Sequence, residues 1–217
     1  PASAPITKDA FFQVLKRTPA ERLPHVEMIV VITEAGMTGG VTQTSRWAIS
    51  SAVGGGLAKE IAVHPKTAHL RLVPWAGVAA LLSRDAGGDA EAESLALKGR
   101  SFCFLPLPAE TGLPVHVNGY FELSSNRRDI WRGDDMAGEG RIRAEWNKAL
   151  LEDVVAPTYA RMLLRLCRSY GVGELEAYYR VWPADSNGEP WASLVRRVYA
   201  ESRKMLVLWS EVGGGKW

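Results

Sequence analysis

Two adjacent arginines, Arg127 and Arg128, follow the polar run Ser124, Ser125 and Asn126 within "FELSSNRRDIW". Ser and Asn suit a turn or a helix cap, so a guanidinium here projects from a short, rigid loop. A planar fork held in that way matches an anion, phosphate above all, and the site it completes can belong to another domain. The competing reading is a surface pair with Asp129, Asp134 or Asp135. Just upstream, simple alternation sends Val115, Val117, Phe121 and Leu123 to one face of a strand and His116, Asn118, Tyr120 and Glu122 to the other. The second set lines a groove or forms a solvated sheet face. Independent hydrolase chemistry would need a pocket gathering His116, Tyr120, Glu122 and Arg127.

Other reactive residue types lack the neighbours their chemistry requires. Cys103 and Cys167 sit in apolar runs with no adjacent base, which reads as two core thiols in a reducing compartment. The histidines at 25, 64, 69 and 116 form neither an H-x-x-x-H pair nor a zinc spacing with the cysteines, so no metal site is expected. "EVGGGKW" ends in Gly-Lys, but Ser210 replaces the first glycine of a phosphate loop and Trp217 its magnesium-binding hydroxyl, leaving a tight turn before a strand. The carboxylate pairs Asp134 with Asp135 and Glu152 with Asp153 are adjacent, diverge, and are assigned to the surface.

The chain of 217 residues is 47% hydrophobic and 23% charged, the balance of a soluble globular protein. A net charge of +2, evenly spread, argues against nucleic acid or an anionic membrane as partner. No apolar run is long enough to span a bilayer, no signal peptide is visible, and cytoplasm is the expected location. "PASAPITK" at the start has linker composition and lacks Met, so residues 1–8 are expected to be a linker. Residues 9–217 are expected to be one domain, truncated at its C-terminus.

The elements that must position the arginines follow from periodicity. "DAFFQVLKR" predicts a helix from about 9 to 16 with Asp9 at its cap. "HVEMIVVIT" and "VTQTSRWAISSAV" predict two strands joined by a loose, glycine-rich hairpin, broken after Val53 by Gly54 to Gly56. "HLRLVPWAGVAALLS" continues as buried extended chain, where Pro74 argues against the middle of a central strand. The acidic segment at 84–98 is expected to be the most mobile loop. "GRSFCFLPLPAETGLPVHVNGYFEL" reads as an antiparallel pair around a Pro/Gly turn. From about 143 to 204 the period is helical, with Pro157 in the first turn of a second helix and Arg161, Arg165 and Arg168 opposite its apolar stripe. That row is a solvated face or a docking surface for an acidic neighbour. "MLVLW" then reads as a strand. The element order predicts a mixed α/β (α+β) fold, with a mainly antiparallel sheet and packed helices.

"LVPWAGVAA", "GRSFCFLPLPAETGLPVHVNGYFELSSNRRDIW", "WNKALLEDVVAPTYARML", "YYRVWP" and "GGGKW" together resemble the sacsin family, in the segment that follows the ATPase-like domain of each large repeat. The likeness runs from about residue 10 to the end and is most specific over 99–163. It implies a piece of a very large chaperone whose neighbouring module is of the GHKL type, with ATP and magnesium held there and no cofactor in this fragment. It further implies a fold similar to the middle domain of the ninety-kilodalton heat-shock chaperone, where a loop arginine reaches the γ-phosphate. "LSSNRRDIW" is similar in texture to that loop, and either Arg127 or Arg128 fits the role. The implied partners are the adjacent ATPase-like domain, other repeats of the same chain, and client proteins or other chaperones, with no catalysis by this segment alone. The rival expectation is a passive interaction scaffold from a repeat without ATPase activity.

Overall fold

The computed structural model describes residues 7–34, 43–85, 97–133, 138–170, 174–184, 188–212 and 215. Most of the expected linker, the "EAGMTGG" loop after Glu34, the bulk of the acidic loop, Asp134 with Asp135, and most of "GGGKW" lie outside the described residues.

The β-branched run His25–Glu34 forms strand β1, and β2 (Gln43–Val53) returns beside it with His25 opposite Ala52 and Glu34 opposite Gln43. This is the expected hairpin. β3 (Trp75–Asp85) pairs antiparallel with β2. It is a central strand, because Pro74 stands one residue before it, where the missing N–H costs no ladder bond and its carbonyl accepts the Gly54 N–H at 2.7 Å. With β4 (Arg100–Cys103), β5 (Leu105–Glu110) and β6 (His116–Gly119), the six-stranded sheet has the order β1-β2-β3-β6-β4-β5.

Residues 99–123 do not form the expected single antiparallel pair. The chain reverses at Phe104, whose φ is 61°, laying β5 antiparallel to β4, and then crosses so that β6 runs parallel to β4. The prolines explain the choice. Pro106 and Pro108 cannot donate to a ladder, so their strand takes the sheet edge, while Val117 and its neighbours enter the interior between β3 and β4.

Helices pack on one face. α1 (Lys8–Arg17) is capped by Thr7, whose hydroxyl accepts the Ala10 N–H at 3.2 Å, rather than by Asp9, which pairs with Arg71. α2 (Gly56–Val63) begins at a glycine with φ +55°, where a Cβ would sit 2.6 Å from the Asp153 carboxylate. That carboxylate accepts the Ala58 N–H at 3.2 Å, so Asp153 is an anion at a helix N-terminus rather than a surface charge. α3 (Glu139–Leu150) runs through a π-helical turn, Leu151–Val155, into α4 (Ala156–Ser169). The wider turn comes directly before Pro157, absorbing a residue that lacks an N–H without ending the helix. α5 (Leu175–Arg180) and α6 (Trp191–Ser202) complete the layer.

Ala48, Ala52, Ala76, Val78, Ala80, Val115 and Val117 turn toward the helices and are buried. Trp146, Tyr159 and Tyr178 are wholly inaccessible to solvent. Each such side chain contributes on the order of 2–3 kcal/mol through removal from water. Trp191, Leu194, Val195 and Val198, one side of α6, also enter this core. "MLVLW" joins no strand of the sheet. Its backbone is held by side chains instead: the Tyr178 hydroxyl donates to the Val207 carbonyl at 2.6 Å, and the Trp209 N–H donates to the Tyr179 hydroxyl at 2.9 Å.

Candidate functional site

Downstream of β6 the chain forms a second, smaller hairpin that carries both arginines. Its stem is set by the Trp131 N–H donating to the Glu122 carbonyl at 2.7 Å and by an antiparallel bridge between Leu123 and Ile130. Its tip is held by short-range bonds that Ser and Asn are suited to make. The Arg127 N–H donates to the Ser124 carbonyl at 2.8 Å, the Arg128 N–H to Asn126 Oδ1 at 3.0 Å, and the Ser124 N–H to the Asp129 carbonyl at 2.9 Å. Arg127 adopts a left-handed conformation, φ 52°. For a residue with a long side chain that conformation is sparsely populated, and here the surrounding bonds impose it.

Asn147, on α3, braces this hairpin from beneath. Its carboxamide oxygen accepts the Glu122 N–H at 2.9 Å, while its nitrogen donates to the carbonyls of Glu122 at 2.7 Å and Trp131 at 2.9 Å. Beside it, Trp146 Nε1 donates to the Tyr120 carbonyl at 2.7 Å. The sequence reading did not single out Asn147. The available signal was an Asn between Trp146 and Ala149 on the buried stripe of a helix, a polar group that must find partners there.

Arg127 and Arg128 are both exposed, and neither has an ion pair among the described residues. Asp129, the internal partner weighed for them, pairs instead with Arg132, which also donates to the Glu189 carbonyl at 2.7 Å. The charge of Arg127 reaches the half-buried Cys103 thiol. Burial pushes that thiol up from its ordinary value, and Arg127 offsets part of the rise.

His116 and Asn118 lie on β6, Tyr120 and Glu122 just past its end, and all four are engaged in structure. His116 Nδ1 accepts the Arg100 N–H at 3.1 Å, and its ring stacks on Trp47 with centroids 5.7 Å apart. Burial and the nearby Arg100 charge hold its pKa below the ordinary value. Asn118 Oδ1 accepts the Phe104 N–H at 3.1 Å, which supports the left-handed turn there. Tyr120 packs edge-on against Phe104 and Trp75, and Glu122 pairs with Arg143 at 3.4 Å. A hollow of about 790 Å³ lies elsewhere, on the helical side of the hairpin stem, lined by Trp131, Arg132, Asn147, Lys148 and Glu189 among others. None of these four residues lines it. Among the described residues no group of three or more His, Cys, Asp or Glu could hold a metal ion, and no helix is long and apolar enough to cross a membrane.

No family model matches the chain, and no solved structure matches it. Across 117 residues, 54% of its length, the chain is 38% identical to human sacsin, and that match takes in 2% of the length of sacsin. Through that stretch the chain belongs to the sacsin family.

Proposed function

We propose that this chain is a non-catalytic, middle-type segment of a very large sacsin-like chaperone, coupling an adjacent ATPase-like module to conformational change or client handling. The observation that carries the reading is the state of Arg127: exposed, free of internal ion pairs among the described residues, and fixed in a left-handed conformation at the tip of a braced hairpin. A guanidinium spent on stability would have taken Asp129. Arg132 has that role. ATP and magnesium belong to the neighbouring GHKL-type module, and this chain contributes one arginine, Arg127 or Arg128, to the phosphate from outside. A fork of this kind stabilises charge on the transferring phosphoryl group and links hydrolysis to domain closure. Such a protein works in the cytoplasm, with neighbouring repeats, clients or other chaperones as partners. The fold, a sheet with helices over one face, is compatible with the middle domain of the ninety-kilodalton heat-shock chaperone.

The alternative is a passive interaction scaffold. It draws on the outer sheet face, where Phe104 is 55% exposed beside Trp75 and Tyr120. Hydrogen exchange separates the two readings in a longer chain that includes the upstream module. Under the coupling reading a non-hydrolysable ATP analogue slows amide exchange across 124–129. Equal exchange with and without the analogue favours the scaffold.

A further inference from the structure

The two edges of the sheet are built differently. β5 closes one edge with Pro106 and Pro108, a common defence against further strand pairing. β1 forms the other with ten residues, HVEMIVVITE, that include no proline and no lysine, and its register with β2 is unbroken. The Val53 N–H donates to the Pro24 carbonyl at 2.9 Å, which fixes the phase of the ladder. Even-numbered residues of β1 therefore bond to β2, and His25, Glu27, Ile29, Val31 and Thr33 direct N–H and C=O groups to the edge, which is open among the described residues. Apolar side chains are exposed on both faces of this strand: Val26, Met28 and Ile32 on the outer side, Ile29 and Val31 on the helical side.

The helical side is also electropositive. α4 presents Arg161, Arg165 and Arg168 along the same flank, and Arg165 reaches across to Glu27 at 3.7 Å. Farther along, Arg46 of β2, opposite Val31 in register, acts on the Tyr170 hydroxyl at the end of α4. We propose that the open edge of β1 accepts one extended polypeptide strand with alternating apolar and acidic side chains. Its backbone completes the edge ladder, its apolar residues cover Val26, Met28 and Ile32, and its carboxylates meet the arginines of α4. A second copy of this chain is the less suitable occupant. Two-fold pairing of β1 with itself keeps both helical layers on the same side and sets the two arginine rows against each other. The inference stands on the edge and α4 alone and does not depend on Arg127 or on an adjacent ATPase.

The test uses the 217-residue chain and two fluorescent synthetic peptides, one alternating valine with glutamate and one valine with lysine. The glutamate peptide is expected to bind at least about tenfold more tightly. The double variant Arg161→Glu/Arg168→Glu inverts that preference. Ile29→Pro, which removes an N–H directed to the open edge and none bonded to β2, abolishes binding while circular dichroism stays native. The charge-reversal arm decides the matter alone if Ile29→Pro fails to fold. No binding of the glutamate peptide, or a preference that survives charge reversal, overturns the proposal. So does dimerisation of the chain that Ile29→Pro removes, since it assigns the edge to a second copy.

Discussion

Asn147 grips Glu122 by both of its backbone groups, accepting the N–H at 2.9 Å and donating to the carbonyl at 2.7 Å. A third bond, to the Trp131 carbonyl, ties the opposite strand of the arginine hairpin to the same side chain. The loop that carries Arg127 and Arg128 is thus fixed to α3 by one buried carboxamide.

Asn147→Ala leaves the Glu122 N–H and the Trp131 carbonyl without their partner, while the Glu122 carbonyl keeps the Trp131 N–H, and stability is expected to fall by about 2–4 kcal/mol. Urea unfolding checks this, with a lowered midpoint at an unchanged slope. Asn147→Asp keeps the acceptor for Glu122 and loses both donors, so it falls between wild type and Asn147→Ala only if the Glu122 N–H bond contributes.

The tail after α6 is held by Tyr178, whose hydroxyl is buried and pushed far above its ordinary pKa by burial. Tyr178→Phe leaves the Val207 carbonyl without that donor, at a cost of roughly 1–2 kcal/mol. Limited proteolysis is expected to cut residues 205–209 faster in the variant. An unchanged cutting rate contradicts the reading of that segment as side-chain-anchored coil.

His116 gives a pH dependence of defined sign. Its folded pKa is lowered, by burial first and by Arg100 second, so the fold favours the neutral ring. Its contribution is complete above the unfolded value of about 6.5 and is lost as pH falls through the lower folded value. A titration followed by NMR is expected to place the His116 midpoint below 6.5, and His116→Gln to flatten the loss of stability on acidification. A midpoint at or above 6.5 contradicts the packing of this ring on Trp47.

Much of this architecture was legible because burial imposes a period. The alternation of Val115, Val117 and Phe121, the α6 stripe from Trp191 to Val198, and the β1–β2 hairpin all follow from that rule. What failed depends on contacts distant in sequence. "MLVLW" has strand composition, but Tyr178 and Tyr179 supply partners that a ladder would otherwise give. The segment 99–123 alternates properly, yet alternation is blind to strand order, and Pro106 with Pro108 decided it. Asp153 looked like a surface acid because its partner, the start of α2, is 95 residues away. At the candidate site, the Ser/Asn turn and the exposed arginines were readable locally. The capture of Asp129 by Arg132 and the brace from Asn147 were not.

The role of the exposed arginines is tested most directly by steady-state ATP hydrolysis in a longer chain that carries the upstream module. Arg127→Ala and Arg128→Ala are made separately, and kcat is resolved from KM. The coupling account predicts that one of the two variants lowers kcat by about 100-fold or more with KM little changed, as expected for a group that acts on the transition state. Arg127 is the stronger candidate because its conformation is imposed by the loop. Unchanged kcat in both variants, with hydrolysis intact in the parent chain, contradicts it.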